Sequence, residues 1–101
     1  MKFDILLFIR NIYYKKAIKA HTFSKNNVIS LINSKICGCF YCNKIFDPKE
    51  INQYTDSGNT AKCPYCEIDS ILSEDCGYPI TKRFLQKMHN YWFKHFTDLL
   101  K

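Results

Sequence analysis

Hydrophobic residues follow a helical period near both ends of the chain and a strand period in the middle. The apolar-rich residues 3–20 predict a helix, or a strand followed by a helix, because the run FDILLFI fits either period. A second helix is predicted to begin after an N-cap at Ser24 and to end near Lys35. Its expected apolar side consists of Val28, Ile29, Leu31 and Ile32.

The closing segment has the clearest helical pattern in the chain. Thr81 is a suitable N-cap, and the apolar residues that follow are spaced by three and four. The sequence therefore predicts one helix over residues 81–101 that closes a core. His89 is expected to pack near its apolar stripe, whereas His21 and His95 are expected on the surface. The stripe consists of Leu85, Met88, Trp92, Phe96 and Leu99.

The middle of the chain has the short runs and turn residues that are typical of small antiparallel strands. Residues 37–46 suit a tight hairpin, and Asp47-Pro48-Lys49-Glu50 has the pattern of a capping box. Residues 56–59, with the sequence DSGN, predict a turn that returns the chain as a strand. A further strand is predicted over residues 67–72.

Size and composition indicate a small globular domain that would benefit from a covalent or metal staple. A chain of 101 residues has room for one domain and buries a modest share of its surface. No run reaches the length of a membrane span, and Asp4 interrupts the apolar run over residues 3–9, which no cleavage site follows. We therefore expect a cytoplasmic protein with no membrane partner. The chain has six cysteines, and in that compartment they indicate a metal site rather than disulfides.

Four of the cysteines form two pairs with the spacing of a metal site. Cys39 and Cys42 form one C-x₂-C pair, Cys63 and Cys66 form the other, and about twenty residues separate the pairs. Four thiolates in a tetrahedron suit Zn²⁺ and leave no position for substrate or water. The sequence thus predicts one structural zinc ion. Iron in a rubredoxin-like site has the same spacing and is an alternative.

The remaining cysteines leave one alternative open. Cys37 lies two residues before Cys39 and could replace it, although the spacing to Cys42 favours Cys39. Cys76 lies in a polar turn and is not expected to be a ligand.

Catalytic hypotheses have less support. The sequence Cys63-Pro64-Tyr65-Cys66 is that of the glutaredoxin redox motif, but a thioredoxin-like fold places this motif at the start of a helix early in the domain. Strand-like residues follow it here. The zinc-deaminase signature is missing, and no histidine between His21 and His89 could serve as a nuclease base. We therefore expect no enzyme and no small-molecule substrate.

Charge is segregated along the chain, whose net charge is +6. Residues 1–35 contain seven basic residues and one acid, and residues 77–101 contain five basic residues and one acid. Residues 36–76 contain three basic and seven acidic residues. The predicted metal core is therefore acidic, and its flanks are basic.

From Phe23 onward the order of motifs resembles a family of small uncharacterised bacterial cytoplasmic proteins. The matching elements are CGCFYCNKIFDPKEI, TAKCPYCEIDSIL, GYPIT and FLQKMHNYWF, which cover most of the chain. The resemblance implies a cytoplasmic zinc-ribbon-like domain with the two C-x₂-C pairs as ligands, and no named activity. The family has glycine where this chain has Glu67, so a strained or reshaped turn is expected there. Residues 1–20 lie outside the resemblance.

These observations combine into one predicted α+β domain over residues 1–101. It comprises a basic helical segment (1–36), a small zinc-ribbon-like β-hairpin core (37–80) and the closing helix (81–101). The favoured hypothesis is a non-enzymatic interaction, adaptor or inhibitor module that docks on a protein or protein–nucleic-acid complex. The alternative is direct nucleic-acid binding, with Tyr13, Tyr14 and Phe23 stacking on bases. The candidate partner-binding residues are Arg10, Lys15, Lys16, Lys19 and Lys25.

Overall fold

The computed structural model describes residues 5–94, in which helices and short antiparallel strands combine as the predicted α+β class requires. The helices are α1 (Ile5–Tyr13), α2 (Lys15–Ala20), α3 (Val28–Ile32) and α4 (Lys82–His89). The strands are β1 (Cys37–Cys39), β2 (Ile45–Phe46), β3 (Tyr54–Thr55), β4 (Thr60–Ala61) and β5 (Ile71–Ser73). One sheet has the strand order β2-β1-β5, and β3 pairs with β4 in a separate hairpin.

The N-terminal segment is helical, so the alternative of a strand followed by a helix is wrong for residues 5–20. Helices α1 and α2 meet at Tyr14, whose N–H donates to the carbonyl of Arg10 at 3.0 Å. The carbonyl of Tyr14 accepts in turn from the N–H of Ile18 at 2.8 Å. Hydrogen bonding therefore continues across the junction. Within the described residues, no helix is long and apolar enough to cross a bilayer.

The second helix is shorter than predicted, and Ser24 is not its N-cap. Ser24 lies in a 3₁₀ turn (His21–Ser24), and its hydroxyl donates to the carbonyl of His21 at 2.7 Å. Asn26 then has a φ of 51°, a left-handed conformation that keeps a helix from starting before Val28. Of the expected apolar side only Leu31 is buried, whereas Ile29 and Ile32 are exposed.

Asn27 connects the two sheets, a role that the sequence pattern did not reveal. Its side-chain amide donates to the carbonyl of Ile71 at 2.9 Å and accepts from the N–H of Ala61 at 3.0 Å. The side chain is almost fully buried. Strands β4 and β5 are thereby held together through one polar group whose hydrogen-bonding capacity is used on both sides.

The three-stranded sheet lies between two core clusters, so residues on both of its faces are buried. Cys37, Cys39 and Ile71 belong to the core cluster that contains Cys63, and Leu72 belongs to the cluster around α4. Gly38 lets α4 approach the sheet closely. A Cβ at this position would lie 2.7 Å from Cδ1 of Leu85.

The predicted turns and caps of the middle segment are confirmed. Asp47 accepts from the N–H of Lys49 at 2.9 Å, while the Glu50 side chain accepts from the N–H of Asp47 at 3.2 Å, which completes the capping box. The turn over residues 56–59 joins β3 to β4. The strand predicted over residues 67–72 is shorter and later, because residues up to Ile68 complete the second cysteine loop.

The closing helix begins as predicted, since Oγ1 of Thr81 accepts from the N–H of Phe84 at 3.1 Å. Leu85 and Met88 are buried as expected. After α4 the chain widens into a π-helical turn (Asn90–Lys94), from which Nε1 of Trp92 donates to the carbonyl of Ala17 at 3.0 Å. Trp92 is half-buried rather than fully buried. The rest of the predicted stripe, Phe96 and Leu99, and His95 lie outside the described residues.

The expectation that His21 lies on the surface is wrong. Its ring centroid is 3.9 Å from that of Trp92 and 5.9 Å from that of Phe40, because α2 packs against α4. Burial lowers the pKa of His21, Lys25 lowers it further, and Asp69 opposes the shift. His89 packs at the core as expected, with Nδ1 3.1 Å from the carbonyl oxygen of Phe40.

Candidate metal centre

The structure brings the four predicted cysteine ligands together. The sulfur atoms of Cys39, Cys42, Cys63 and Cys66 all lie within 4.8 Å of one another. The Sγ atoms of Cys39 and Cys66 are 3.6 Å apart, and those of Cys42 and Cys63 are 3.8 Å apart. A disulfide would require about 2.0 Å. The edge of a tetrahedron with metal–sulfur bonds of about 2.3 Å is about 3.8 Å. The four thiols therefore fit a tetrahedral metal site.

The first cysteine loop, residues 39–44, directs backbone N–H groups at its own sulfurs. The N–H of Tyr41 donates to Sγ of Cys39 at 3.4 Å, and the N–H of Lys44 donates to the sulfur of Cys42. Two bonds close the loop. The N–H of Asn43 donates to the carbonyl of Cys39 at 2.7 Å. The N–H of Cys39 donates to the carbonyl of Lys44 at 3.0 Å.

The second cysteine loop, residues 63–68, repeats these bonds position by position. The N–H of Tyr65 donates to Sγ of Cys63 at 3.4 Å, and the N–H of Ile68 donates to the sulfur of Cys66. The N–H of Glu67 donates to the carbonyl of Cys63 at 2.8 Å. The N–H of Cys63 donates to the carbonyl of Ile68 at 2.9 Å. Two equivalent loops thus present two sulfurs each to one point.

The residue after each second cysteine has a left-handed backbone. The φ angle is 63° at Asn43 and 67° at Glu67. Asparagine tolerates this conformation, whereas a residue such as glutamate pays a steric cost for it. The strained turn expected at Glu67 is therefore present, although its hydrogen bonds match those of the first loop.

Ser70 supports the cluster from outside the four cysteines, and the sequence analysis did not identify it. Its Oγ lies 3.1 Å from Sγ of Cys39, and the residue is 2% exposed. The carbonyl of Ser70 accepts from the N–H of Phe40 at 3.0 Å, which fixes the serine beside the first loop. When Cys39 is a thiolate, the hydroxyl must be the donor. In the sequence, Ser70 is marked only by its position, directly before a buried strand and shortly after the second cysteine pair.

Burial disfavours the free thiolate forms of Cys63 and Cys66. It raises the pKa of Cys63 to about 11, even though the N–H groups of Tyr65 and Cys66 act in the opposite direction. The pKa of Cys66 is also raised, mainly by burial. At Cys42 burial again acts upward, but hydrogen bonds from Lys44 and from the neighbouring thiols outweigh it and lower the pKa. A bound cation would supply the positive charge that four thiolates need, which couples metal binding to proton release.

Cys37 and Cys76 lie outside the cluster. Cys37 is fully buried, and its thiol donates to the carbonyl of Phe46 at 3.5 Å. Burial raises its pKa to about 12, with smaller contributions from nearby acidic groups. The sequence left open whether Cys37 or Cys39 is the ligand, and the structure places Cys39 in the cluster. Cys76 is buried rather than exposed in its turn, with its sulfur 3.9 Å from the carbonyl oxygen of Tyr78.

The predicted partner-binding residues lie away from the cysteines, on α1, α2 and the turn after them. Lys15, Lys16, Lys19 and Lys25 are exposed. Arg10 is less accessible than expected, because its guanidinium carbon lies 5.2 Å from the ring centroid of Tyr14. Its Nε is buried without a hydrogen-bond partner in the described part of the chain. That these five residues bind a partner stays a prediction.

Comparison of this chain with protein-family models, with curated proteins and with solved structures gave no match, so the interpretation of the site depends on its own geometry.

Proposed function

We propose that this protein is a non-enzymatic module in which one zinc ion, bound by Cys39, Cys42, Cys63 and Cys66, holds together a zinc-ribbon-like core. The observation that carries the proposal is the convergence of four sulfurs at distances that fit a tetrahedral site. The zinc-ribbon-like core of the protein positions basic helices, and these helices dock on an acidic protein or protein–nucleic-acid complex. The site is structural, because four protein ligands leave no position for substrate.

Zinc is favoured over iron because a closed tetrahedron of thiolates is its usual structural site in small domains. Iron in the same shell would colour the protein and absorb visible light. A colourless protein that contains zinc after purification without chelators supports the proposal. A red protein that contains iron would replace it with an electron-transfer function.

The burial of Cys63 argues against thiol–disulfide exchange at the sequence Cys63-Pro64-Tyr65-Cys66. Cys63 is 1% exposed, and its sulfur faces Cys42 inside the cluster. An attacking thiol must reach a disulfide in another molecule. The motif also lies in a turn and not at the start of a helix. Both features support a ligand role for this pair.

The charge distribution supports docking through the basic helices. The sequence has no Asp or Glu between Asp4 and Asp47, and this interval contains seven basic residues. The proposal is tested by co-purifying partners from the host with the wild type and with a variant in which Lys15, Lys16 and Lys19 are all changed to Glu. A partner should be lost in this variant and retained when Lys49 and Lys62 of the core are reversed.

The triple variant could instead retain the partner, and reversal of Glu67, Asp69 or Glu74 could abolish its binding. That result would place the docking surface on the acidic core. Metal content and the unfolding midpoint should stay unchanged in the triple variant, because exposed charges contribute little to stability.

Direct nucleic-acid binding is the second candidate, and two exposed aromatic residues favour it. Tyr13 and Phe23 are 61% and 45% exposed and lie near the basic residues of α2. Tyr14 is less available for stacking, since its ring packs 5.2 Å from that of Tyr91. Tight, salt-dependent binding of arbitrary RNA or DNA, weakened by Tyr13→Ala and Phe23→Ala, would favour this candidate over a protein partner.

A further inference from the structure

Helix α1 presents an apolar face to solvent. Ile5, Leu6, Ile9, Ile12 and Tyr13 are each more than half exposed, and none of the residues of α1 is buried. These five side chains fall within about 120° of the helix circumference. Phe8, which is 51% exposed, lies just beyond one edge of this arc, and Leu7, also 51% exposed, lies on the opposite side of the helix. A continuous aliphatic face of this kind on a protein surface marks a site of interaction.

The other side of the same segment contacts the body of the protein, which directs the apolar face outward. Tyr14 follows α1 in the same helical path, and its ring packs 5.2 Å from that of Tyr91. The guanidinium group of Arg10 lies over the Tyr14 ring. Arg10 and Tyr14 are half-buried, whereas Ile9 and Ile12 are exposed. Arg10 and Tyr14 therefore mark the side by which this segment packs on the rest of the protein.

A basic recess lies beside the apolar face. It has a volume of about 240 Å³, and no Asp or Glu is among the described residues that line it. Nζ of Lys87 lies 4.0 Å from the ring centroid of Tyr13, so the recess and the apolar face meet at this pair. Lys16 and Arg83 are exposed. The lining residues are Lys16, Pro79, Thr81, Arg83, Phe84 and Lys87.

We propose that α1 and this recess form one surface that binds an anionic phospholipid bilayer. Helix α1 lies in the plane of the interface with Ile5, Ile9 and Ile12 among the upper acyl chains, and the cations of the recess contact headgroup phosphates. An apolar helix face bordered by Lys and Arg is the arrangement that stabilises interfacial helices. The inference goes beyond the proposed function, because it adds the apolar face of α1 to a surface that shares Lys16 with the proposed docking residues. It replaces the expectation from the sequence that the protein has no membrane partner.

Charge and side-chain chemistry favour a lipid surface over the other possible occupants. A nucleic-acid backbone would use the cations but leave the aliphatic face in water. A typical protein interface is rich in Trp, Tyr and Arg and carries about one hydrogen bond per 100–200 Å². The face of α1 is almost entirely Ile and Leu, with Tyr13 at its basic edge. The acyl chains of an anionic bilayer match the aliphatic face of α1, and its headgroup phosphates match the cations of the recess.

The test is flotation of the metal-loaded, full-length protein with vesicles. Wild type should float with vesicles that contain equal parts of phosphatidylcholine and phosphatidylglycerol, and should stay in solution with phosphatidylcholine alone. Ile9→Asp with Ile12→Asp, and separately Arg83→Glu with Lys87→Glu, should each weaken binding at least about tenfold. The matched control is Ile29→Asp with Ile32→Asp, which introduces the same two negative charges at exposed isoleucines of α3 outside this surface. It should bind like wild type.

Metal content and unfolding midpoint, measured on each variant, show that a loss of binding is not a loss of fold. Three results would overturn the proposal. Wild type could remain in solution with the anionic vesicles at low salt, or Ile29→Asp with Ile32→Asp could reduce binding as much as the α1 changes. The wild type could also be a dimer that Ile9→Asp with Ile12→Asp converts to a monomer that still floats, in which case the apolar face joins two copies of the chain.

Discussion

The hydroxyl of Ser70 lies 3.1 Å from the sulfur of Cys39, buried beside the cysteine cluster. A hydroxyl at this distance donates to a metal-bound thiolate and removes part of its negative charge from an apolar environment. The candidate metal centre therefore extends beyond the four cysteines to a residue that has no place in the C-x₂-C pattern.

Ser70→Ala should weaken zinc binding about 10- to 100-fold, the usual cost of losing such a supporting hydrogen bond. Competition with a chromophoric chelator measures the affinity. Ser73→Ala is the matched control, because Ser73 is an equally buried serine on β5 whose hydroxyl bonds to that of Ser30. Equal zinc affinity in wild type and Ser70→Ala would remove Ser70 from the site.

Glu67→Gly should raise the free energy of unfolding of the metal-loaded protein by about 1 kcal/mol, because glycine adopts a positive φ without the steric cost that glutamate pays. Urea denaturation measures the effect. Asn43→Gly at the equivalent position of the first loop should change stability less, since asparagine already tolerates this backbone. A clear loss of stability in Glu67→Gly would mean that its side chain makes a contact worth more than the strain.

Gly38→Ala should destabilise the protein by about 1–3 kcal/mol, since the added Cβ would meet Cδ1 of Leu85 at 2.7 Å. Gly58→Ala is a useful comparison, because its Cβ would meet nothing within 4 Å and only its φ of +87° opposes the change. The experiment compares thermal unfolding of both variants. If Gly38→Ala were as stable as wild type, α4 would not pack on β1 as closely as described.

His21 should titrate below the ordinary histidine pKa of about 6.5, because burial against Trp92 disfavours its charged form. The unfolded chain then binds a proton that the folded chain does not. The contribution of His21 to stability is therefore complete above about pH 6.5 and is lost as the pH falls toward its lowered folded pKa. NMR titration of the ring measures the pKa. A value at or above that of an exposed histidine would contradict the packing.

The parts of the fold that the sequence predicts are those that short segments determine. The spacing of Cys39, Cys42, Cys63 and Cys66 identifies the cluster, because each loop of six residues closes through its own backbone bonds. The caps at Asp47 and Thr81 are equally local, since each accepts from a backbone N–H two or three residues later.

The parts that sequence analysis missed depend on contacts between distant segments. Asn27 bonds to Ile71, 44 residues away, and Trp92 bonds to Ala17, 75 residues away. The burial of His21 follows from the second of these contacts, because it places Trp92 over the turn after α2. No period or motif within one segment encodes such pairs. Ser70 likewise lies beside a cysteine 31 residues earlier, so the C-x₂-C spacing alone does not identify it.

The most direct test of the account is the metal itself. Elemental analysis combined with X-ray absorption, on protein purified without chelators, should find one zinc per chain surrounded by four sulfurs at about 2.3 Å. Replacing Cys63 with serine should abolish binding and unfold the core, whereas replacing Cys76 should leave the zinc content unchanged. A zinc content near zero in protein that is nevertheless folded, or a shell that contains nitrogen or oxygen in place of sulfur, would contradict the account.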